Sequence, residues 1–156
     1  MSPHSQGPEP KLPKFGSVQV TKRHHTLSVP EGRALIGAHQ PFGLPVETDN
    51  LRLRLFKNKP IKCVGCGVEA DRAHIESVKS KRYTGHALNF YAGNMLMTKD
   101  HIKPLVKKGP DTLENLQPMC WKCNYEKGEK DVTEWVSPLA EAVAAFRAVE
   151  GLTGGA

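Results

Sequence analysis

Four cysteines stand in this 156-residue chain, Cys63, Cys66, Cys120 and Cys123, as two Cys-x-x-Cys pairs with none left over. Two residues between thiolates let one tight turn present both sulfurs to a single ion, and two such turns complete a tetrahedral zinc site. Gly65 and Gly67 give the first turn access to positive φ, whereas the second pair, around Trp121 and Lys122, has no glycine and reads as the opening of a helix. Disulfides are the alternative, but nothing in the chain suggests export, and intracellular thiols are normally kept reduced. A closed four-sulfur site leaves no position for substrate or water, so it is a staple joining segments 53 residues apart. In small modules such coupling is worth roughly 10 kcal/mol or more. Any chemistry must lie between or beside the ligands.

Two stretches there are notable: Leu96-Met-Thr-Lys-Asp-His-Ile-Lys-Pro, and Glu114-Asn-Leu-Gln-Pro-Met-Cys-Trp-Lys-Cys-Asn-Tyr-Glu-Lys-Gly. Together they resemble the HNH endonucleases, in which an Asp-His pair ends a strand, an Asn-Leu follows a loop, and a His or Asn closes the motif on a helix. Those positions are Asp100 with His101, Asn115, and Asn124. Over roughly residues 51–130 the chain is similar to phage-type HNH nucleases braced by a four-cysteine zinc ribbon. The resemblance implies an α+β fold: a small ββα-metal (His-Me finger) domain braced by the four-cysteine zinc site, flanked by an irregular basic N-terminal arm and a C-terminal helix. It also implies hydrolysis of DNA phosphodiesters with one divalent ion, leaving 5′-phosphate and 3′-hydroxyl ends.

Such hydrolysis needs an activated water, charge neutralisation on the phosphoryl oxygens and stabilisation of the departing alkoxide. Asp100 offers a carboxylate and Asn124 an amide oxygen, donors that suit Mg²⁺ or Mn²⁺. His101 is turned the other way by strand alternation, and histidine as a residue type, titrating at about 6.5, suits taking the proton of the attacking water. The family analogy gives Asn115 the task of bridging the loop and orienting the histidine. The departure is Asn124 where other members carry His, which bears on the preferred metal.

For nucleic acid, Lys103, Lys107 and Lys108 lie in a loop where a phosphate backbone could pass, and Lys127 falls near Asn124 on a short helix. Lys81 and Arg82, beside Lys79 and Tyr83, form a basic stretch with an adjoining aromatic. His24 and His25 read as a solvated basic patch, and His74 and His86 as surface or core histidines. One rival reading is a zinc deaminase, with His74-Ile-Glu76 followed by Pro118-Met-Cys120-Trp-Lys-Cys123. It misplaces the proline and leaves Cys63 and Cys66 idle. The stronger alternative is a non-catalytic zinc-ribbon module that binds DNA.

The elements that must position these groups are partly readable. Leu51, Leu53 and Leu55 alternate with Arg52 and Arg54, as in a half-buried strand with a basic outer face, although a short helix also fits. His86–Tyr91 and Met95–His101 flank Ala92-Gly93-Asn94, predicting a β-hairpin with Leu88 and Phe90 on one side. Leu113, Leu116 and Met119 lead into the second cysteine pair. Asp131 and Glu134 could cap a last helix opened by Pro138, in which Leu139, Val143, Phe146 and Glu150 recur at helical spacing.

Upstream, residues 1–46 hold seven of twelve prolines and five glycines. The first fourteen read as disordered and Ser17 to Val29 as an extended piece. Residues 1–62 carry ten Lys/Arg against four Asp/Glu, the whole excess of +6, which suits a polyanion. The expected organisation is a basic arm over 1–50, a zinc-braced nuclease domain over 51–131, and a helix and tail over 132–156. The length excludes a multidomain machine, and no run approaches the roughly 18 apolar residues of a membrane span. The first thirty residues are polar, so an intracellular, soluble protein of a bacterium or phage-infected cell is expected. DNA is the expected partner. One motif makes one centre, so cutting both strands needs a homodimer or two successive events, and a phage or host protein partner stays open.

Overall fold

The computed structural model describes residues 11–131 and 134–153. The disorder expected for the first fourteen residues falls mostly outside that range. Among the described residues seven strands form a curled sheet, six of them in the order β1-β2-β4-β5-β6-β7. These are β1 (Lys14–Phe15), β2 (Val18–Leu27), β4 (Arg72–Lys79), β5 (Thr84–Ala92), β6 (Met95–His101) and β7 (Leu116–Cys120). All neighbours in that order run antiparallel. The short β3 (Val46–Glu47) pairs in parallel with β5.

The extended piece expected at residues 17–29 is β2, and it belongs to the sheet. Its register against β4 runs from Gln19 opposite Lys79 to Leu27 opposite Ala73, with two bulges. The folded unit therefore starts upstream of residue 51, and the segment read as an irregular arm includes the longest strand. Composition hid this because the partner strand lies about fifty residues away, beyond any local pattern.

Helix α1 (Val29–Ala34) is opened by a capping box, Ser28 Oγ accepting from Glu31 N while Glu31 accepts from Ser28 N. Gly32 lies against Ala73 and Phe90, where a Cβ would come within 2.6 Å of the alanine methyl. The strand expected at Leu51–Leu55 is instead α2 (Leu51–Asn58). Asn50 caps it by accepting from Leu53 N at 2.9 Å, and Phe56 joins Leu53 and Leu55 in the core. A basic outer face also fails. Arg54 is held bidentately by Asp49, but Arg52 turns inward and donates to the Leu88 carbonyl.

The predicted hairpin is present: β5 and β6 meet through a turn at Gly93, whose φ is +58°. Leu88 and Phe90 share the core with Leu53, Phe56, Ile75 and Met97. Beyond the first two pairs β6 leaves β5 and pairs with β7 along its length. Helix α3 (Trp121–Lys127) follows directly, Cys120 serving as its N-cap. The last helix, α4 (Pro138–Thr153), is capped by Ser137 Oγ, which accepts from Ala140 N. The expected cap residues Asp131 and Glu134 flank Lys107 instead. Leu139, Val143 and Phe146 on α4 are exposed. No described helix is long and apolar enough to cross a membrane.

Candidate active site

The four cysteines converge. Their sulfurs all lie within 4.8 Å of one another, with Cys66 Sγ and Cys120 Sγ 3.9 Å apart, and none forms a disulfide. Bonds of about 2.3 Å to one zinc ion would place tetrahedral sulfurs about this far apart. Backbone N–H groups of Gly65 and Cys66 donate to Cys63 Sγ, and that of Cys123 to Cys120 Sγ. Burial pushes the Cys63 thiol up, but the N–H donors outweigh it and hold it below the ordinary value. Burial pushes Cys120 up to about 11 and raises Cys123 as well. Sulfurs crowded and desolvated in this way suit a cation that takes them as thiolates. Gly67 has the expected positive φ. Gly65 does not, and is required for space, since a Cβ would meet Trp135 and Cys123 within 3 Å.

The sulfur cluster joins the Cys63–Cys66 turn to the end of β7 and the start of α3, and strand pairing sets β7 beside β6. Thr98 Oγ1 donates to the Met119 carbonyl, while Asn124 Nδ2 donates to Thr98 Oγ1 at 2.8 Å and to the Lys99 carbonyl at 3.0 Å. Those bonds orient the Asn124 amide and leave its oxygen with no protein donor among the described residues. Asp100 and His101 follow on β6 and alternate in direction. Asp100, Asn124, His101 and Lys127 line one cavity of about 200 Å³ between the strand, the helix and Pro104–Val106.

Asp100 is buried and its charge is compensated. Lys127 Nζ donates to its carboxylate at 3.1–3.2 Å and to the His101 carbonyl at 3.1 Å, and Gln117 Nε2 donates to Oδ2 at 2.9 Å. A carboxylate has about four lone-pair positions, so one remains for an ion. The Asp100 carboxylate and the Asn124 amide oxygen are donors of the kind that could hold a hard divalent cation.

Asn115 does not line the cavity. It accepts from Lys103 N at 2.9 Å and donates to the carbonyls of Lys103 and Pro110, pinning both ends of the 103–110 loop. Gly109 makes this closure feasible, because a Cβ there would fall 1.8 Å from the Lys103 carbonyl oxygen. The pinned loop delivers Asp111, whose Oδ1 lies 2.9 Å from His101 Nε2 and 3.7 Å from Lys99 Nζ. The His101 hydrogen bond, followed by the Lys99 charge, holds the Asp111 carboxyl below the usual carboxylate range. An ionised Asp111 accepts a proton-bearing Nε2, so the favoured tautomer leaves the Nδ1 lone pair available.

The structure also redistributes the cations. Lys127, expected to meet nucleic acid, is fully buried against Asp100, because an uncompensated carboxylate there would be costly. Lys107 is engaged by Glu134 at 2.6 Å, with Asp131 at 3.8 Å. Lys103 and Lys108 are exposed on the loop, and Lys81 and Arg82 at the β4–β5 tip, outside the cavity. The deaminase constellation does not form. Cys120 and Cys123 cluster with Cys63 and Cys66, while His74 Nδ1 meets Thr26 Oγ1. Glu76 is enclosed by Arg23, Asn89 and Tyr91.

Sequence reasoning missed Asp111, Gln117 and Thr98 as parts of this site. Asp111 lies four residues before Asn115, in a Gly-Pro-Asp turn, and only loop closure brings it to His101.

Residues 85–130 match the family model of the HNH endonuclease, a family whose members are generally nucleases. The span runs from β5 to just beyond α3 and includes Asp100, His101, Asn115, Asn124 and the second cysteine pair. Comparisons with curated proteins and with solved structures give no match.

Proposed function

We propose, taking the HNH pattern of residues 85–130 as premise, that the protein is an endonuclease hydrolysing DNA phosphodiesters with a histidine general base. The observation that carries this reading is the meeting of Asp100, His101 and Asn124 at one cavity beside the sulfur cluster. His101 accepts the proton of the attacking water at Nδ1, with Asp111 holding Nε2 and spreading the imidazolium charge that develops. Asp100 and Asn124 would hold a Mg²⁺ or Mn²⁺ ion, which when bound supplies charge neutralisation to the phosphoryl group and the leaving oxygen. Asn115 keeps the loop, and through it Asp111, in place. The cysteines hold zinc for structure only.

One observation favours a second reading, a DNA-binding zinc module without catalysis: both Asp100 oxygens are already hydrogen-bonded in the structure. A labelled duplex incubated with zinc-loaded protein separates the two. The nuclease reading expects Mg²⁺- or Mn²⁺-dependent products with 5′-phosphate ends, lost in His101→Ala while binding persists. Binding without products from the wild type, in any divalent metal, supports the module.

A further inference from the structure

The turn at the mouth of the cavity carries two apolar side chains that the core does not use. Leu105 and Val106 line the cavity with Asp100, His101 and Asn124, yet they are 53% and 64% exposed. Single exposed apolar residues are ordinary on a protein surface, but an adjacent pair at the rim of a polar site marks a contact. The turn is held in shape, so the pair stays presented. Lys107 N and Gly109 N donate to the Pro104 carbonyl, Lys108 N donates to that of Leu105, and Asn115 pins Lys103 and Pro110. Lys108 is kept at a φ of +64°, a left-handed backbone that residues with a side chain rarely adopt.

Free positive charge flanks the pair along the chain. Lys103 and Lys108 are exposed and make no ion pair among the described residues, whereas Lys99, Lys107 and Lys127 each face a carboxylate. The catalytic groups lie deeper, Asp100 being buried and His101 half-buried, so a phosphate that reaches them brings its neighbouring nucleotides against Leu105 and Val106. Leucine and valine offer no hydrogen bond to phosphate or sugar, and no ring on which an unpaired base could stack. They gain free energy by burial between base pairs. The minor groove, about 6 Å wide, suits a tip of two side chains and has a phosphate wall on either side for a cation, whereas the major groove takes a whole helix.

We propose that Leu105 and Val106 form a wedge that enters the minor groove of duplex DNA, with Lys103 and Lys108 on the flanking phosphates, and that the resulting kink carries the backbone down to the recessed groups. An apolar side chain inserted from the minor groove unstacks one base step and bends the duplex toward the major groove. A turn already fixed by its own hydrogen bonds suits this task, because little ordering remains to be done on binding. The inference rests on the nuclease reading for DNA as the ligand and for the use made of the kink.

Energy transfer between dyes at the two ends of a short duplex, with zinc-loaded full-length protein and no Mg²⁺, reads the bend. Saturating wild type should bring the ends closer. Leu105→Ala combined with Val106→Ala should weaken binding about tenfold and leave the bound duplex straight, while Leu105→Met with Val106→Ile, which keeps the apolar bulk, should retain the bend. Both positions are exposed, so circular dichroism should show the same unfolding for each pair as for wild type. Each of Lys103→Gln and Lys108→Gln should reduce the salt slope of duplex binding by roughly 0.9. A duplex bound straight by the wild type, or a bend indifferent to the two alanines, overturns the inference even if the protein cleaves plasmid. Absence of duplex binding overturns it together with the nuclease reading. A bend that needs Leu105 and Val106, in a protein that cleaves under no metal condition, upholds it and sinks the nuclease reading.

Discussion

Replacing Lys127 with methionine keeps the length of the side chain and removes its ammonium. Among the described residues that ammonium is the only cation touching Asp100, the two side chains being 0% and 6% exposed and separated by 3.1 Å. With an effective dielectric near 20, a pair at this distance attracts by about 5 kcal/mol. Losing one partner of a buried pair costs about 3–5 kcal/mol, because the other charge stays desolvated with only Gln117 to bond it. Guanidinium unfolding of zinc-loaded Lys127→Met, followed by circular dichroism, should show a loss of about that size. Asp100→Asn combined with Lys127→Met should recover much of it, since the stranded charge is gone. A loss below about 1 kcal/mol, typical of exposed pairs, would refute the claim that Lys127 is consumed inside the site.

Asn115→Ala removes three hydrogen bonds to the 103–110 loop, leaving backbone groups of Lys103 and Pro110 without these partners. Unfolding should show a cost of about 1–3 kcal/mol, and misplacement of Asp111 should cut cleavage about a hundredfold with DNA binding retained. Stripping the structural ion with a strong chelator, or Cys63→Ser, should abolish cooperative unfolding, because apart from the bond from Val64 N to the Pro118 carbonyl it is the sulfur cluster that joins the first knuckle to β7 and α3; a folded Cys63→Ser protein would contradict the staple. Asp111 has its folded pKa depressed, so its contribution is present above the unfolded value and lost as pH falls through the folded one. Carboxyl carbon NMR should place its titration below the usual carboxylate range in wild type and higher in His101→Ala, where the first-ranking hydrogen bond is removed.

Local spacing made parts of the site legible. Cys-x-x-Cys geometry depends on neighbours in the chain, as do the Ala92-Gly93-Asn94 turn and the alternation that separates Asp100 from His101. The misread elements depend on something distant or on one competing residue. Leu51, Leu53 and Leu55 alternate as a strand would, yet Asn50 caps a helix and Phe56 completes its buried side. The role of β2 is written in a register with β4, and that of Lys127 in a carboxylate 27 residues away. Asp111 gives no sequence signal of its contact with His101, because that contact exists only once Asn115 has closed the loop.

The most direct measurement is the fate of supercoiled plasmid with zinc-loaded protein, with and without Mg²⁺ or Mn²⁺, beside His101→Ala. Metal-dependent nicking or linearisation by the wild type, absent in the variant, is the predicted result. Equal cleavage by His101→Ala, or intact plasmid with the wild type under every metal condition while salt-sensitive DNA binding persists, would contradict the account.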